Sequence, residues 1–288
     1  MIASDLSGRR LTLDDAAAGA RLSDLAGWSG TVEDWRARIA HTGGFGLYDL
    51  KGLLVAAGLV FAFAPRMGFI GNILVDPDWR GRGLGRLMTQ RCMAMLQAMR
   101  LPIYLIATQL GLPIYLKLGF TEIDKLVHLR QRAGEGRRSG PSNGAVRPMM
   151  RDDIDAVLDL DARVYGGDRA IMLQPHLSEQ PIRGVVAIAA GRVAGYACVA
   201  NRRTYGGIGP LVAKDTAVAL ALVRALAPQM PGLIGCDVPA YQTDFIAALK
   251  SEGYRRAEAV PFMGYQTDRA WPFARPAELF AGAARAAC

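Results

Sequence analysis

A run of glycines and arginines near residue 80 has the residue types needed to bind an anion. The segment from Ile73 to Arg86 reads ILVDPDWRGRGLGR, a hydrophobic stretch, a glycine-rich turn and then apolar residues at helical spacing. The first N–H groups of a helix have no partner within it and favour an anion there. Glycines let a phosphate approach the backbone, and arginines donate charge-assisted hydrogen bonds. The pattern predicts a phosphate-binding loop made of Arg80, Gly81, Arg82, Gly83, Leu84, Gly85 and Arg86.

This loop differs from the two common nucleotide-binding loops. It lacks the Lys-Ser/Thr end of a P-loop, and its glycine spacing is not that of the dinucleotide fingerprint. Two other interpretations stay open: a basic loop that is only solvated, and an Arg/Gly segment that contacts RNA phosphates. The formal charge of +8 and the pI near 9.6 indicate attraction to polyanions in general and do not choose among these.

The cysteines and histidines have no spacing typical of a zinc site or a redox motif, so we expect no metal centre. They are Cys92, Cys198, Cys236, Cys288, His41, His128 and His176. We interpret the cysteines as reduced, mostly buried thiols. No apolar run is long enough to span a bilayer and the start does not resemble a signal peptide, so we expect a cytoplasmic protein.

The elements that must position the loop follow from hydrophobic periodicity. The first half predicts the order β-α-α-β-β-β-α-β-α-β, with the loop between the fourth strand and the third helix. Three consecutive strands, at 46–50, 53–64 and 69–75, are separated by turn-forming residues and predict an antiparallel meander. Trp35 lies at helical spacing with Val32 and Ile39, which favours a place in the core.

A Gly-, Ser- and Arg-rich stretch at 133–146 predicts a linker between two domains. After it a similar order of elements recurs, and the sequence Leu118-Gly119-Phe120 has an echo in Glu252-Gly253-Tyr254. This recurrence indicates a duplicated domain. Residues 165–169, YGGDR, predict either a loop that faces substrate or a turn that caps a helix.

Two motifs of the first half resemble those of a known family. The loop closely resembles the Q/R-x-x-G-x-G/A motif of the GCN5-related N-acetyltransferase (GNAT) superfamily, with Arg80, Gly83 and Gly85 in the specified places. Family members also carry a tyrosine four residues before a Gly-aromatic pair, here Tyr115 before Gly119-Phe120. The resemblance covers about residues 9–130.

The resemblance implies an α/β fold of the mixed α+β kind: two GNAT-like domains in tandem, each with a central mixed, mostly antiparallel sheet flanked by helices. We expect a catalytic acyl-CoA-binding domain at 1–132, the linker at 133–146, a degenerate GNAT-like domain at 147–267 and a tail at 268–288.

The family also implies acetyl-CoA as co-substrate, bound where the fourth and fifth strands splay apart. Its pyrophosphate would lie on the 80–86 loop, and its pantetheine arm would pair with the backbone of Ile73, Leu74 and Val75. A backbone N–H near Leu74 would stabilise the oxyanion formed when an amine attacks the thioester. Tyr115 would be the acid that protonates the leaving thiolate, unless it only packs under the helix.

The general base is not identified from the sequence. Family members often use a glutamate of the fourth or fifth strand or an ordered water, but here these strands offer Asn72 and Thr108, neither of which is a good base. We expect either that a chain of water molecules removes the proton of the amine or that the amine binds in its neutral form. Asn72 and Thr108 are expected to bind the acceptor, as is Trp28, for which a place in the core is the equal alternative.

The second half lacks both motifs. Where a phosphate loop should stand, the sequence is Ala213-Lys214-Asp215-Thr216, with no glycine and one cation, and Leu249 stands in the place of Tyr115. We therefore expect a catalytically silent domain that covers or shapes the acceptor site.

The predicted activity is transfer of an acetyl or other acyl group to a primary amine of a small molecule, in a monomer or homodimer without nucleic-acid or membrane partners. A non-catalytic acyl-CoA-sensing or partner-binding module is the alternative. Nucleic-acid binding ranks behind both, because the arginines are not interleaved with aromatic side chains.

Overall fold

The computed structural model of the chain describes residues 5–28, 30–41, 43–132, 146–178, 182–201, 206–267 and 271–282. The predicted linker at 133–146 lies outside this part except for its last residue. The described chain forms two compact units: residues 1–123 with 262–269, and residues 124–261 with 270–286. These units differ from the predicted domains at their ends.

The elements of the first half follow the predicted order. They are β1 (Ser7–Arg10), α1 (Ala16–Leu25), α2 (Val32–His41), β2 (Gly44–Tyr48), β3 (Leu54–Phe63), β4 (Met67–Val75), α3 (Leu84–Ala98), β5 (Ile103–Ile106), α4 (Leu112–Lys117) and β6 (Phe120–Arg132). Strands β1 to β4 pair antiparallel, which confirms the meander, and β5 pairs parallel with β4. Helix α3 packs its apolar face on this sheet through Cys92 and Leu96, which lie in one cluster with Val60 and Ile70.

The second half contains β7 (Val146–Pro148), α5 (Ile154–Tyr165), α6 (Ala170–Leu177), β8 (Gly184–Ala189), β9 (Arg192–Asn201), β10 (Gly206–Ala213), α7 (Thr216–Leu226), β11 (Leu233–Pro239), α8 (Thr243–Ser251), β12 (Arg255–Tyr265) and β13 (Leu279–Ala281). Strands β7 to β10 are antiparallel, and β11 joins β10 in parallel. The sequence did not predict α6, β7 or β13, and the expected tail therefore contains a strand.

Two strands each begin in one unit and end in the other. Strand β6 begins in the first half, but its residues 126–132 pair with β11 of the second unit. Conversely, residues 262–265 of β12 pair with β5 of the first unit. Each unit thus contains strand residues from the other half of the chain, which the predicted division at 132 does not include.

An ion pair just before the first helix of each unit supports the predicted duplication. The Arg9 guanidinium makes two hydrogen bonds to the Asp15 carboxylate, at 2.7 and 2.8 Å. The Arg147 guanidinium does the same to Asp153, at 2.6 and 2.8 Å. In both pairs the acid follows the arginine by six residues and also accepts a backbone N–H three residues before it. For both residues of the pair, the number in the second unit is the number in the first unit plus 138.

Candidate functional site

The sheet of the first unit opens between β4 and β5. The two strands pair in register from Gly68–Ile103 to Ile70–Leu105, and β4 then continues without this neighbour to Val75. Opposite β3 the register of β4 shifts, and Asn72 within this bulge has a φ of 50°. A bulge bends its strand. Beyond Ile70 the edge of β4 is thus no longer paired with β5, and the space beside this edge is called the groove of the first unit below.

The loop that follows β4 is anchored by Asp76. Its carboxylate accepts the Asp78 N–H at 3.2 Å, which caps the short 3₁₀ helix Pro77–Trp79, and it pairs with the Arg21 guanidinium at 2.8 Å. The Asp76 N–H donates to the Val55 carbonyl at 2.9 Å. These bonds fix the direction in which the chain leaves the strand.

The backbone favours glycine at two loop positions. Gly81 and Gly83 both have a φ of 76°, a left-handed conformation that favours glycine. A Cβ added at either would meet no described atom within 4 Å, so the loop presents an open surface. The glycines therefore leave space for a ligand.

Helix α3 begins at this loop without a side-chain cap. Its N-cap residue is Gly83, which has no side chain to accept a hydrogen bond. The N–H groups of Leu84, Gly85 and Arg86, the first three helical residues, have no acceptor within the helix. An anion at this end would accept these hydrogen bonds and be favoured by the helix dipole.

The three loop arginines are exposed at the surface around this helix end. Arg80 donates from Nε to the Val75 carbonyl at 3.2 Å, and Arg82 donates to the Asp78 carbonyl at 3.3 Å. The Arg82 guanidinium also lies 4.7 Å from the centre of the Trp79 ring, a cation–π contact. All three arginines thus lie within or next to the loop and are exposed to solvent, and their binding of an anion stays a prediction.

Gly85 has a different role from the other two glycines. Its φ is ordinary, but an added Cβ would lie 3.3 Å from Ile114 Cδ1 and 3.9 Å from Val75 Cγ2. Its small size lets α3 pack closely against α4, the helix that carries Tyr115.

Tyr115 is buried, with 8% of its surface exposed. Its ring lies over Gly111, where a Cβ would come within 2.7 Å of it, and packs edge-on against Phe120 with centroids 6.1 Å apart. Burial, with a smaller contribution from Cys92, raises the pKa of the Tyr115 phenol above its ordinary value of 10.0. The phenol thus stays protonated, as a proton donor must.

The predicted acceptor residues occupy different environments. Thr108 is exposed, and its hydroxyl accepts the Gly111 N–H at 3.2 Å, which helps start α4. Asn72 is 3% exposed, and within the described residues its buried Oδ1 has no hydrogen-bond partner. Trp28 is half-buried, and its backbone N–H donates to the Ser23 carbonyl at 2.8 Å, which joins its main chain to α1. Trp35 is fully buried, which confirms its place in the core.

Three residues that shape this site were not predicted from the sequence: Asp76, Trp79 and Gly111. The pair Asp76-Pro77 carries a recognisable signal, since Asp is a common N-cap and Pro is common at the first helical position. The contacts of Trp79 and Gly111 depend on tertiary packing and have no such signal.

The histidine, cysteine and acidic side chains form no metal site in the part of the chain that is described. There, no group of three or more His, Cys, Asp and Glu could hold an ion. Cys92, Cys198 and Cys236 are buried and form no disulfide, which confirms the prediction for these three; Cys288 lies outside the described residues. None of the described helices is long and apolar enough to cross a membrane.

Comparison with known proteins gives the same picture for both halves. Residues 44–122 and 157–272 each match a family model described as an acetyltransferase (GNAT) domain. The chain is 25% identical over 256 residues to the uncharacterized N-acetyltransferase YitH of Bacillus subtilis (strain 168), covering 85% of this chain and 86% of the relative.

Solved structures share the fold over nearly the whole chain. A putative acetyltransferase from Pyrococcus horikoshii has a TM-score of 0.77 at 18% identity, covering 100% of this chain and 98% of its own. A tandem GNAT protein from the clavulanic acid biosynthesis pathway has a TM-score of 0.63 at 16% identity, covering 93% and 99%. With a GNAT domain matched in each half, the chain is a tandem member of the GNAT N-acetyltransferase superfamily and an acyltransferase.

Proposed function

We propose that the first unit transfers an acetyl group from acetyl-CoA to a primary amine of a small molecule. The observation that carries the proposal is the uncapped start of α3, next to two open glycines and three exposed arginines. This is the arrangement that a pyrophosphate needs, because it offers backbone donors, a favourable dipole and cationic side chains together. The buried thiols support a place in the cytoplasm.

In this proposal the pyrophosphate binds residues 80–86 and the pantetheine arm lies along β4. Beyond Ile70 that strand has lost β5 as a neighbour. The amides of the pantetheine arm would pair with the backbone of Ile73, Leu74 and Val75, as an added strand does.

The reaction is direct attack of the amine on the thioester. The amine nitrogen forms a bond to the carbonyl carbon, and a backbone N–H near Leu74 stabilises the oxyanion. The C–S bond then breaks, Tyr115 gives its proton to the departing thiolate, and the proton released by the amine passes through water to restore the phenol. The raised pKa of Tyr115 keeps the proton on the oxygen until the thiolate forms.

Asn72 is proposed to bind the acceptor. A buried amide oxygen without a partner costs about 1–3 kcal/mol, and an amine N–H could supply the missing hydrogen bond. Thr108 and Trp28 remain candidates for the acceptor pocket on the same proposal.

We further propose that the second unit binds no acyl-CoA. Only residues 214–215 separate β10 from α7, whereas residues 76–83 separate β4 from α3. Asp215 accepts the Val218 N–H at 2.9 Å and so caps α7 with a carboxylate, which repels a phosphate. Leu249, in the place of Tyr115, is fully buried in the core.

A thiol-release assay tests this function. Acetyl-CoA is incubated with amino acids, polyamines and amino sugars, and free coenzyme A is measured for the unmodified chain, for Arg80→Glu and for Lys214→Glu. We expect release that depends on an amine, a rise of at least about 10-fold in KM for acetyl-CoA with Arg80→Glu, and no change with Lys214→Glu. Equal effects of the two variants would contradict the assignment to the first unit.

A further inference from the structure

Strand β13 lies along β10 in the second unit. It pairs antiparallel with it, Ala281 opposite Leu211 and Leu279 opposite Val212. The other edge of β10 is taken at the same residues by β9, so β13 lies on the side of β11. Strand β11 itself pairs with β10 only over Gly206–Ile208. The two strands therefore separate after Ile208, and β13 takes the free edge.

This edge is the counterpart of the groove in the first unit. The parallel pairs of β4 and β5 end at Ile70, and those of β10 and β11 end at Ile208, which is 138 residues later. By the same offset, Leu211 and Val212 correspond to Ile73 and Leu74. Strand β13 thus pairs with the counterparts of two of the three residues, Ile73, Leu74 and Val75, at which the proposed pantetheine arm would pair in the first unit.

Side chains of the second unit hold this segment in place. The Tyr241 hydroxyl donates to the Pro276 carbonyl at 2.7 Å, and Gln242 Nε2 donates to the carbonyls of Ala277 and Leu279 at 3.0 Å each. Phe280 is 1% exposed and packs edge-on against Phe245, with ring centroids 5.0 Å apart.

The backbone of β10 is also adapted to the segment. Gly209 has a φ of 155°, and a Cβ added there would overlap the carbonyl oxygen of Gly282. Only glycine allows so close an approach. The groove is therefore built around residues 276–282 through side chains, main chain and shape together.

We propose that the groove between β10 and β11 is a strand-binding site whose occupant is the chain's own segment 279–281. The segment takes the place of an acyl-CoA arm, so an internal peptide closes this unit to the cofactor in addition to the loss of the phosphate loop. The comparison with the cofactor arm rests on the function proposed for the first unit.

Hydrogen exchange of the full chain, measured with and without acetyl-CoA, tests this. We expect the backbone N–H groups of Gly209–Ala213, among which Pro210 has none, to be protected and unaffected by acetyl-CoA, whereas those of Ile73–Val75 exchange more slowly when it is added. Fast exchange at Gly209–Ala213, or slowing there by acetyl-CoA, would overturn the proposal. A missing response at Ile73–Val75 alone would count against the proposed function and leave the strand site intact.

A variant gives a second readout. Ala281→Pro should speed exchange within Gly209–Ala213 at least about 10-fold, since proline cannot donate to a ladder and disrupts the strand. A synthetic peptide of residues 271–282, added in excess, should restore the protection. Unchanged exchange in a folded variant would overturn the proposal. If the variant does not fold, the exchange of the unmodified chain with and without acetyl-CoA decides.

Discussion

Tyr115 shows how burial determines what a side chain can do. It sits among apolar neighbours on α4, where the raised pKa of its phenol keeps the proton in place throughout the range in which enzymes are usually assayed. The ordinary pKa of a thiol is near 8.5, below that of the phenol, so the phenol donates a hydrogen bond to the departing thiolate and transfers its proton only as the proton released by the amine replaces it.

Tyr115→Phe is therefore expected to lower kcat by about 10²–10⁴-fold with little change in KM for acetyl-CoA. Tyr115 can donate a proton only while its phenol is neutral. Because the pKa of the phenol is raised above 10.0, its ionisation should cause no fall in the rate up to pH 10. Thiol release measured from pH 6 to 10 checks both points. Tyr265→Phe, a change to a half-buried tyrosine that packs on Phe120, is the matched control. An unchanged rate for Tyr115→Phe would remove this residue from the chemistry.

At this scale the sequence predicted the glycine-rich turn before α3 but not the contacts that support it. Gly83 could be recognised because its left-handed backbone favours glycine, whereas the binding of an anion by Arg80, Gly83 and Gly85 stays a prediction. The ring of Tyr115 over Gly111 and the guanidinium of Arg82 over Trp79 arise from packing, which leaves no fixed spacing in the chain.

At the scale of elements, the pair Arg9–Asp15 fixes β1 to the start of α1. Burial alone would raise the pKa of Asp15, but hydrogen bonds from Arg9 and the Thr12 N–H outweigh it and lower that pKa to about 2 from 3.8. The folded state thus binds the proton of Asp15 less readily than the unfolded chain does. The stabilisation is complete above the unfolded pKa and is lost as the pH falls through the folded one.

We expect this carboxylate to contribute at most about 2 kcal/mol to the free energy of unfolding at pH 7. Asp15→Asn should remove that contribution, and the difference from the unmodified chain should shrink between about pH 5 and pH 2. Urea unfolding at a series of pH values measures it. A difference that is constant with pH would contradict the role of the charge.

A second pair connects α5, α6 and β9. Arg169 is fully buried and makes two hydrogen bonds of 2.7 Å to Asp161, which also accepts the hydroxyl of Tyr196. Asp161 follows Asp153 by eight residues, as Ser23 follows Asp15, and Ser23 accepts the Nε1–H of Trp35 at 2.9 Å. The same position thus holds a helix pair together in each unit, by an ion pair in one and a neutral hydrogen bond in the other.

Asp161→Asn should destabilise the fold by about 3–5 kcal/mol, because it leaves a buried guanidinium without its counter-charge. The double change Asp161→Leu with Arg169→Met should cost less than the sum of its two single changes. Denaturant unfolding of the four proteins checks this. Additive costs would show that the two charges do not depend on each other.

Helices and strands could be predicted from the sequence where the hydrophobic period and the positions of turn-forming residues indicated the same element. The first half was predicted in the correct order because its strands alternate with distinct turns and α3 has a clear apolar face. The YGGDR segment is a turn: Gly166 ends α5 with a φ of 89°, and Asp168 accepts the Ala170 N–H that follows. Strands β7 and β13 have three residues each and are defined by their partners, so no local pattern could predict them.

At the scale of the whole molecule, the chain is a duplication whose two copies have diverged in opposite ways. The first keeps an open glycine loop and an open groove. The second has a capped helix and a groove filled by β13. The passage of β6 and β12 from one unit into the other could not be predicted. Their partner strands lie more than a hundred residues away in the sequence, and such pairing leaves no signal in either strand alone.

Calorimetric titration of acetyl-CoA into the full chain tests the central claim most directly. It is carried out for the unmodified chain, for the double variant Arg80→Glu with Gly83→Asp, and for Lys214→Glu as control. Aspartate tolerates the left-handed backbone at position 83 better than most residues, so the variant should fold and place a carboxylate at the proposed pyrophosphate site. We predict one site per chain, lost in the double variant and kept in the control. Two sites, or one site that survives the double variant, would contradict the account.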